Sequence, residues 1–168
     1  MRGFYLFVSG VLVTLITQFA VAQSQNRGVV RMNHVGISSP NLEETISYYT
    51  ETLGFPEAFR VTNDEGEIAL AYVQVSTNSF LELQPSNEQR PPGLSHFGIV
   101  VEDMDDAIEM WRERGIEVEN SRVSGTNAVL SNIYDANGIR IELLELPAGS
   151  AHAQATARWR SQSAAAWR

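Results

Sequence analysis

Residues 33–51 and 95–113 of this chain carry one pattern twice: NHVGISSPNLEETISYYTE lies over SHFGIVVEDMDDAIEMWRE without a gap. The overlay pairs His34 with His96, Gly36 with Gly98, Ile37 with Ile99, Ile46 with Ile108 and Glu51 with Glu113, each 62 positions apart. A unit used twice buries the same face in both copies, so the repeat restricts the chain to folds with internal pseudo-symmetry.

Each copy opens on an apolar, β-branched run, VVRMNHVGI or LSHFGIVV, which reads as a strand. A helix start follows, with Asn41 or Asp103 at the N-cap and acids in the first turn. Leu42, Ile46, Tyr49 and Leu53 recur at helical spacing, as do Met104, Ala107, Ile108 and Trp111, and Gly54 and Gly115 stand at the expected stops. Three strand-like stretches complete each copy, near Glu57 to Val61, Ile68 to Val75 and Phe80 to Gln84 in the first. In the second they fall near Glu117 to Val123, Ala128 to Ile133 and Ile139 to Leu146. The reading is an α+β fold: two tandem βαβββ modules, about 29–85 and 94–146, joined by a linker at 85–93. They are expected to form a cup-shaped mixed sheet with helices on the outside and one face free to line a cavity.

The composition limits the chemistry. With no Cys and no Lys, the chain has no thiol nucleophile, thiolate metal site, disulfide or Schiff-base lysine. The 20 acids outnumber the 12 arginines, giving a net charge of -8, which disfavours nucleic acid and favours a divalent cation.

Under the repeat, the two His of the modules coincide, and so do Glu82 and Glu142 on the closing strands. One His in an apolar strand is most simply structural, and one Glu in FLELQP is most simply the solvent half of an alternating strand. Two imidazoles and two carboxylates at matched positions instead make a first shell for a divalent first-row metal, with His34, Glu82, His96 and Glu142 as ligands. The period of two puts Phe80 and Gln84 on the face of Glu82 and Arg140 on the face of Glu142, so these three are expected in the substrate pocket.

The segments NHVGISSPNLEETISYYTETLGF, FLELQP, GLSHFGIVVEDMDDAIEMWRERGI and YDANGIRIELLE together resemble the vicinal oxygen chelate superfamily. That superfamily includes glyoxalase I, methylmalonyl-CoA epimerase, extradiol dioxygenases and the fosfomycin and bleomycin resistance proteins. The ligand pattern is most similar to its metal-dependent glyoxalase and epimerase members. The resemblance implies a divalent cofactor (Zn, Ni, Mn, Fe or Co), an isomerase or lyase acting on a small oxygenated substrate, and enediolate or oxyanion chemistry. Glu82 and Glu142 are then the catalytic bases. Arg140 beside Glu142 would lower that carboxyl, leaving Glu82, with no cationic neighbour foreseen, as the mobile base and Glu142 as the steadier ligand. Gly36 to Ser39 replaces the arginine usual in glyoxalase I, and Asn132 stands where a ring-cleaving dioxygenase would carry Tyr. A non-haem iron dioxygenase using His34, His96 and Glu142 is one alternative; a non-catalytic small-molecule binding or resistance protein is another.

Outside the modules, residues 1–22 read as a signal peptide: one Arg, a long apolar run, and the small-residue site Ala20-Val21-Ala22. Export to the periplasm or medium is expected, with an uncleaved membrane anchor as the alternative and no stable span after cleavage. The expected domain is 23–147, and residues 148–168 form an Ala- and Arg-rich tail, disordered or helical. The expected partner is a small molecule, with a homodimer also in view. His152 lies in the tail, outside the repeat, and is not expected to be a ligand. Cleavage predicts a mature chain that starts at Gln23; intact-mass measurement on protein exported by a bacterial host checks this, and a chain still carrying Met1 would support the anchor.

Overall fold

The computed structural model describes residues 28–166, in which each repeat becomes one half of a single curled sheet. The elements are β1 (Val29–Ser39), α1 (Leu42–Ser47), β2 (Glu57–Thr62), β3 (Ile68–Ser76) and β4 (Ser79–Pro85) in the first half. The second half has β5 (Gly93–Val101), α2 (Met104–Glu113), β6 (Arg122–Val123), β7 (Val129–Tyr134) and β8 (Arg140–Glu145), followed by α3 (Ala151–Ala166). The strand order is β2-β3-β4-β1-β5-β8-β7-β6. β1 runs parallel to β4 and β5 parallel to β8, while β1 and β5 meet antiparallel at the centre. The expected α+β fold of two βαβββ modules is therefore observed. The signal-peptide segment lies outside the described residues, and among those described no helix is long and apolar enough to cross a membrane.

The local signals act as anticipated at the helix starts. The Asn41 side chain accepts from Glu44 N at 3.2 Å and donates to the Glu44 carboxylate at 2.9 Å, a reciprocal cap, and Asp103 accepts from Asp106 N at 3.0 Å. Gly54 and Gly115 end the helical stretches at φ +75° and +78°, a conformation open to glycine. Two elements differ from the sequence expectation. The first helix widens into a π turn over Tyr48–Thr52; there the Thr50 hydroxyl donates back to the Ile46 carbonyl at 2.8 Å, a contact that loosens the regular ladder. The strand expected from Glu117 shrinks to Arg122–Val123, because Val118 turns into the core under α2 and Glu119 spends its carboxylate on Asn132 and Tyr134.

The period of two then sorts the sheet into faces. Ile37, Ala71, Val73 and Leu83 pack under Ile46 of α1. Val101, Ile133 and Leu143 pack under Met104, Ala107 and Ile108 of α2. Both module helices thus cover the outer face. The alternate residues, among them His34, Tyr72, Phe80, Glu82, His96 and Glu142, point to the inner face. α3 packs there and not outside, with Ala155 buried against Tyr72 and Phe80.

Each module's H-x-G triplet acquires its meaning at the β1–β5 seam. His34 pairs with Gly98 and Gly36 with His96, so each imidazole lies over the other module's glycine. A Cβ built on Gly36 would stand 2.1 Å from His96 Cε1, and one on Gly98 would stand 2.3 Å from His34 Cε1. Gly36→Ala and Gly98→Ala are each expected to lower stability by roughly 1–3 kcal/mol through overpacking, whereas Gly149→Ala, whose Cβ meets nothing within 4 Å, should be near neutral. Denaturant unfolding of the three variants checks this; equal stability throughout would refute the packing assigned to the seam.

Candidate metal centre

The seam delivers His34 and His96 side by side, and the parallel neighbours β4 and β8 deliver the carboxylates, since Gly36 pairs with Glu82 and Gly98 with Glu142. One ligating atom from each of the four residues lies within 4.8 Å of all the others, and all four residues are buried. His34 Nε2 stands 3.0 Å from His96 Nε2, 3.6 Å from Glu82 Oε2 and 3.5 Å from Glu142 Oε2, while His96 Nε2 stands 3.7 Å from Glu82 Oε2. Donors placed about 2.1 Å from one ion are separated by about 3.0 Å as octahedral neighbours and about 3.4 Å as tetrahedral ones. The observed spacings therefore fit a single divalent ion, and the donor set of two imidazoles and two carboxylates fits a first-row metal.

The electrostatics agree. Burial holds the His34 imidazole down at about 3, against the pull of Glu82, so the ring stays neutral and keeps a lone pair for a cation. Its Nδ1 lies 3.0 Å from Asn33 Oδ1; donating there turns the Nε2 lone pair inward. Burial and the neighbouring Glu82 charge push the Glu142 carboxyl up to about 7, against the opposing His96 and Arg140. Glu82 resists burial, because His96, His34 and the Tyr72 hydroxyl hold it below the ordinary carboxylate range. Arg140 stands beside Glu142 as expected, but Glu82, for which no cationic neighbour was foreseen, is the better held of the two. Glu82 has a phenol donating to it and an imidazole on either side, whereas Glu142 keeps one imidazole and Arg140 Nη1 at 3.8 Å.

The residues expected in the pocket divide. Arg140 and Gln84 line a cavity of about 400 Å³ that opens onto Glu82 and Glu142. Gln84 Nε2 donates to Ser95 Oγ at 2.9 Å, and Ser95 Oγ lies 2.9 Å from His96 Nδ1, so Gln84 steadies the imidazole through the serine. Arg140 Nη2 lies at the same Nδ1, also 2.9 Å away. A guanidinium only donates, so the tautomer of His96 that turns Nε2 toward a metal must donate from Nδ1 to Ser95 and release Arg140. Phe80 shares the inner face but is taken up beneath α3.

Sequence reasoning missed two residues. Tyr72 is wholly buried, with its hydroxyl donating to Glu82, and only its place two strands from β1 would have signalled it. His152 carried no signal, since it lies outside the repeat. It is nevertheless 1% exposed, with ring centroids 4.5 Å from Tyr72, 4.9 Å from Phe59, 5.4 Å from Phe80 and 6.3 Å from His34. Among the described residues neither of its ring nitrogens has a hydrogen-bond partner, and it is not one of the four clustered residues.

A tandem βαβββ sheet with two imidazoles and two carboxylates over its central seam defines a class of half-barrels whose seam could hold a metal ion. The sequence profile of the Glyoxalase/Bleomycin resistance protein/Dioxygenase superfamily matches residues 31–143, and the chain belongs to that superfamily. It is 30% identical over 124 residues, 68% of its length, to the probable chloroplastic lactoylglutathione lyase of Arabidopsis thaliana, and spans 35% of that relative. It is 22% identical over 132 residues to the mitochondrial methylmalonyl-CoA epimerase of Dictyostelium discoideum, covering 70% of this chain and 80% of that one. Among solved structures, methylmalonyl-CoA epimerase from Mycobacterium tuberculosis superposes with a TM-score of 0.63 at 27% identity, over 71% of this chain and 90% of that one.

Burial lowers His152 to about 4, with Glu82 opposing and Arg31 assisting, so the folded protein requires this ring to be neutral. The unfolded chain takes up the proton below about 6.5; stability is therefore full above that pH and declines as the pH falls from 6.5 toward 4, by roughly 3 kcal/mol for this group. His152→Phe should flatten that slope in thermal unfolding at pH 7 and pH 4.5. An unchanged slope would remove His152 from the acid response.

Proposed function

We propose that this protein is an exported, metal-dependent isomerase or lyase that moves a proton at a carbon next to an oxygen of a small substrate. The observation that supports it most is the convergence of His34, Glu82, His96 and Glu142 on one point, with the two glutamates lining a cavity. Lyase and epimerase relatives support the same reaction type. A divalent ion held by these four residues would supply the positive charge that makes a C–H beside a substrate oxygen acidic.

The remaining work falls to the chain. Tyr72 donates to Glu82 and keeps that carboxylate in place, which suits it to the steady share of the ligand set. Glu142 faces the cavity with no hydroxyl or amide donor holding it among the described residues, which suits it to turn toward the substrate carbon and accept its proton. The buried seam keeps His34 and His96 away from water and holds both rings in place. Export rests on the N-terminal apolar segment and its small-residue site, and it would place the reaction in the cell envelope.

Proton movement without net oxidation separates this reading from ring cleavage by ferrous iron, which consumes oxygen. Incubating metal-loaded protein in D2O with 2-hydroxy and 2-oxo compounds should give NMR-detected exchange of the adjacent C–H. Glu142→Gln should reduce that exchange at least 100-fold while keeping more bound metal than His34→Ala. Oxygen uptake with a catechol and no exchange would overturn the reading, and exchange surviving in Glu142→Gln but lost in Glu82→Gln would move the base to Glu82.

A further inference from the structure

The two halves of the cup are pseudo-symmetric in backbone but opposite in chemistry. Phe80 pairs with His34 across β4 and β1, and Arg140 occupies the corresponding position beside His96 across β8 and β5. In the first half, α3 inserts His152 and Ala155 against Tyr72 and Phe80 and fills the space. Ala151 N donates to the Thr126 carbonyl at 2.9 Å and Arg158 Nη2 to the Ala58 carbonyl at 2.9 Å, which ties this helix to both halves. The cavity that remains, about 400 Å³, is small for a ligand site and lies toward the second half.

Three of the chain's 12 arginines, Arg90, Arg122 and Arg140, line this one cavity. Among the described residues its only acidic lining residues are Glu82 and Glu142, the two carboxylates of the candidate metal centre. A divalent ion there would neutralise both, leaving three cationic groups along the lining, of which Arg122 and Arg140 feel the Glu119 carboxylate only at longer range, in a protein whose net charge is -8. The arginines are not spent on one another's partners. Arg140 stands at the cluster, 2.9 Å from His96 Nδ1 and 3.8 Å from Glu142 Oε1. The Arg90 guanidinium donates to the neutral Pro85 carbonyl, at 2.7 and 3.2 Å, and among the described residues no carboxylate lies within ion-pair distance of Arg90 or Arg122. Val61, Leu70 and Leu130 give the cavity apolar walls.

We infer that the substrate is a short dicarboxylic acid bearing a hydroxyl or oxo group beside one carboxylate, with that end at the metal centre and Arg140 and the far carboxylate held by Arg90 and Arg122. Guanidinium groups bind carboxylates through paired, charge-assisted hydrogen bonds, so a second carboxylate has a place in this cavity that a methyl group lacks. The closed first half and the small volume leave no room inside the cup for a bulky carrier group. The inference rests on the metal-dependent reading above, and its test keeps the two apart.

The full-length chain, loaded with zinc, is titrated calorimetrically with malate and with 2-hydroxybutyrate, which differ in the far carboxylate, and its zinc content is measured on the same sample. Malate should bind at least tenfold more tightly, a difference of about 1.4 kcal/mol. Arg122→Gln, at an exposed position, and separately Arg90→Gln should each erase most of that preference with zinc content and melting temperature unchanged. Equal affinity for the two acids, no binding of either, or a preference that both variants retain would overturn the inference while leaving the metal reading standing. A chain that takes up no zinc, or any other first-row divalent ion, would overturn the metal reading; a malate preference sensitive to both arginines in that case would still uphold the substrate class.

Discussion

The antiparallel pairing of β1 with β5 is the contact on which the rest depends. It joins the two modules into one sheet and places each module's histidine over the other's glycine. With a Cβ at either glycine the imidazoles would be displaced, and the carboxylates of β4 and β8 would lose the centre they face. The H-x-G triplet is thus a packing device and a site-building device at once, which is why it is present in both copies.

Duplication set the frame, and divergence of the inner face gave it a direction. The outer face remains near-symmetric, with one helix covering an aliphatic cluster in each half. On the inner face, Phe80 opposes Arg140 in position and Tyr72 opposes Asn132, since each of the latter pair sits opposite a cluster glutamate. Tyr72 donates to its glutamate, whereas Asn132 turns to Glu119. One carboxylate is consequently anchored and the other is loosely held, an asymmetry suited to a pair in which one group binds and one group moves a proton.

Much of this was legible in the sequence because it rests on period and repetition. The β-branched runs, the Asn41 and Asp103 caps, the glycine stops and the coincidence of His34 with His96 each follow from short-range rules, and each appears in the fold. What was not legible depends on contacts between distant segments. The surroundings of Glu82 and Glu142 were inferred along single strands, yet the decisive donor, the Tyr72 hydroxyl, comes from the adjacent strand. His152 lies beyond the repeat, and only the return of α3 across the inner face brings it to Tyr72 and His34. No local pattern encodes that return; it follows from the buried small side chain of Ala155 and the backbone bond to Thr126.

The central claim is that these four side chains bind one divalent ion together. X-ray absorption at the metal edge of the purified, metal-loaded chain measures it most directly. Two imidazole nitrogens and at least two oxygens at about 2.0–2.2 Å, at one ion per chain and with the imidazole scattering lost in the His34→Ala, His96→Ala double variant, is the result predicted. A metal-free protein, or an ion whose scattering shows no imidazole, would contradict it.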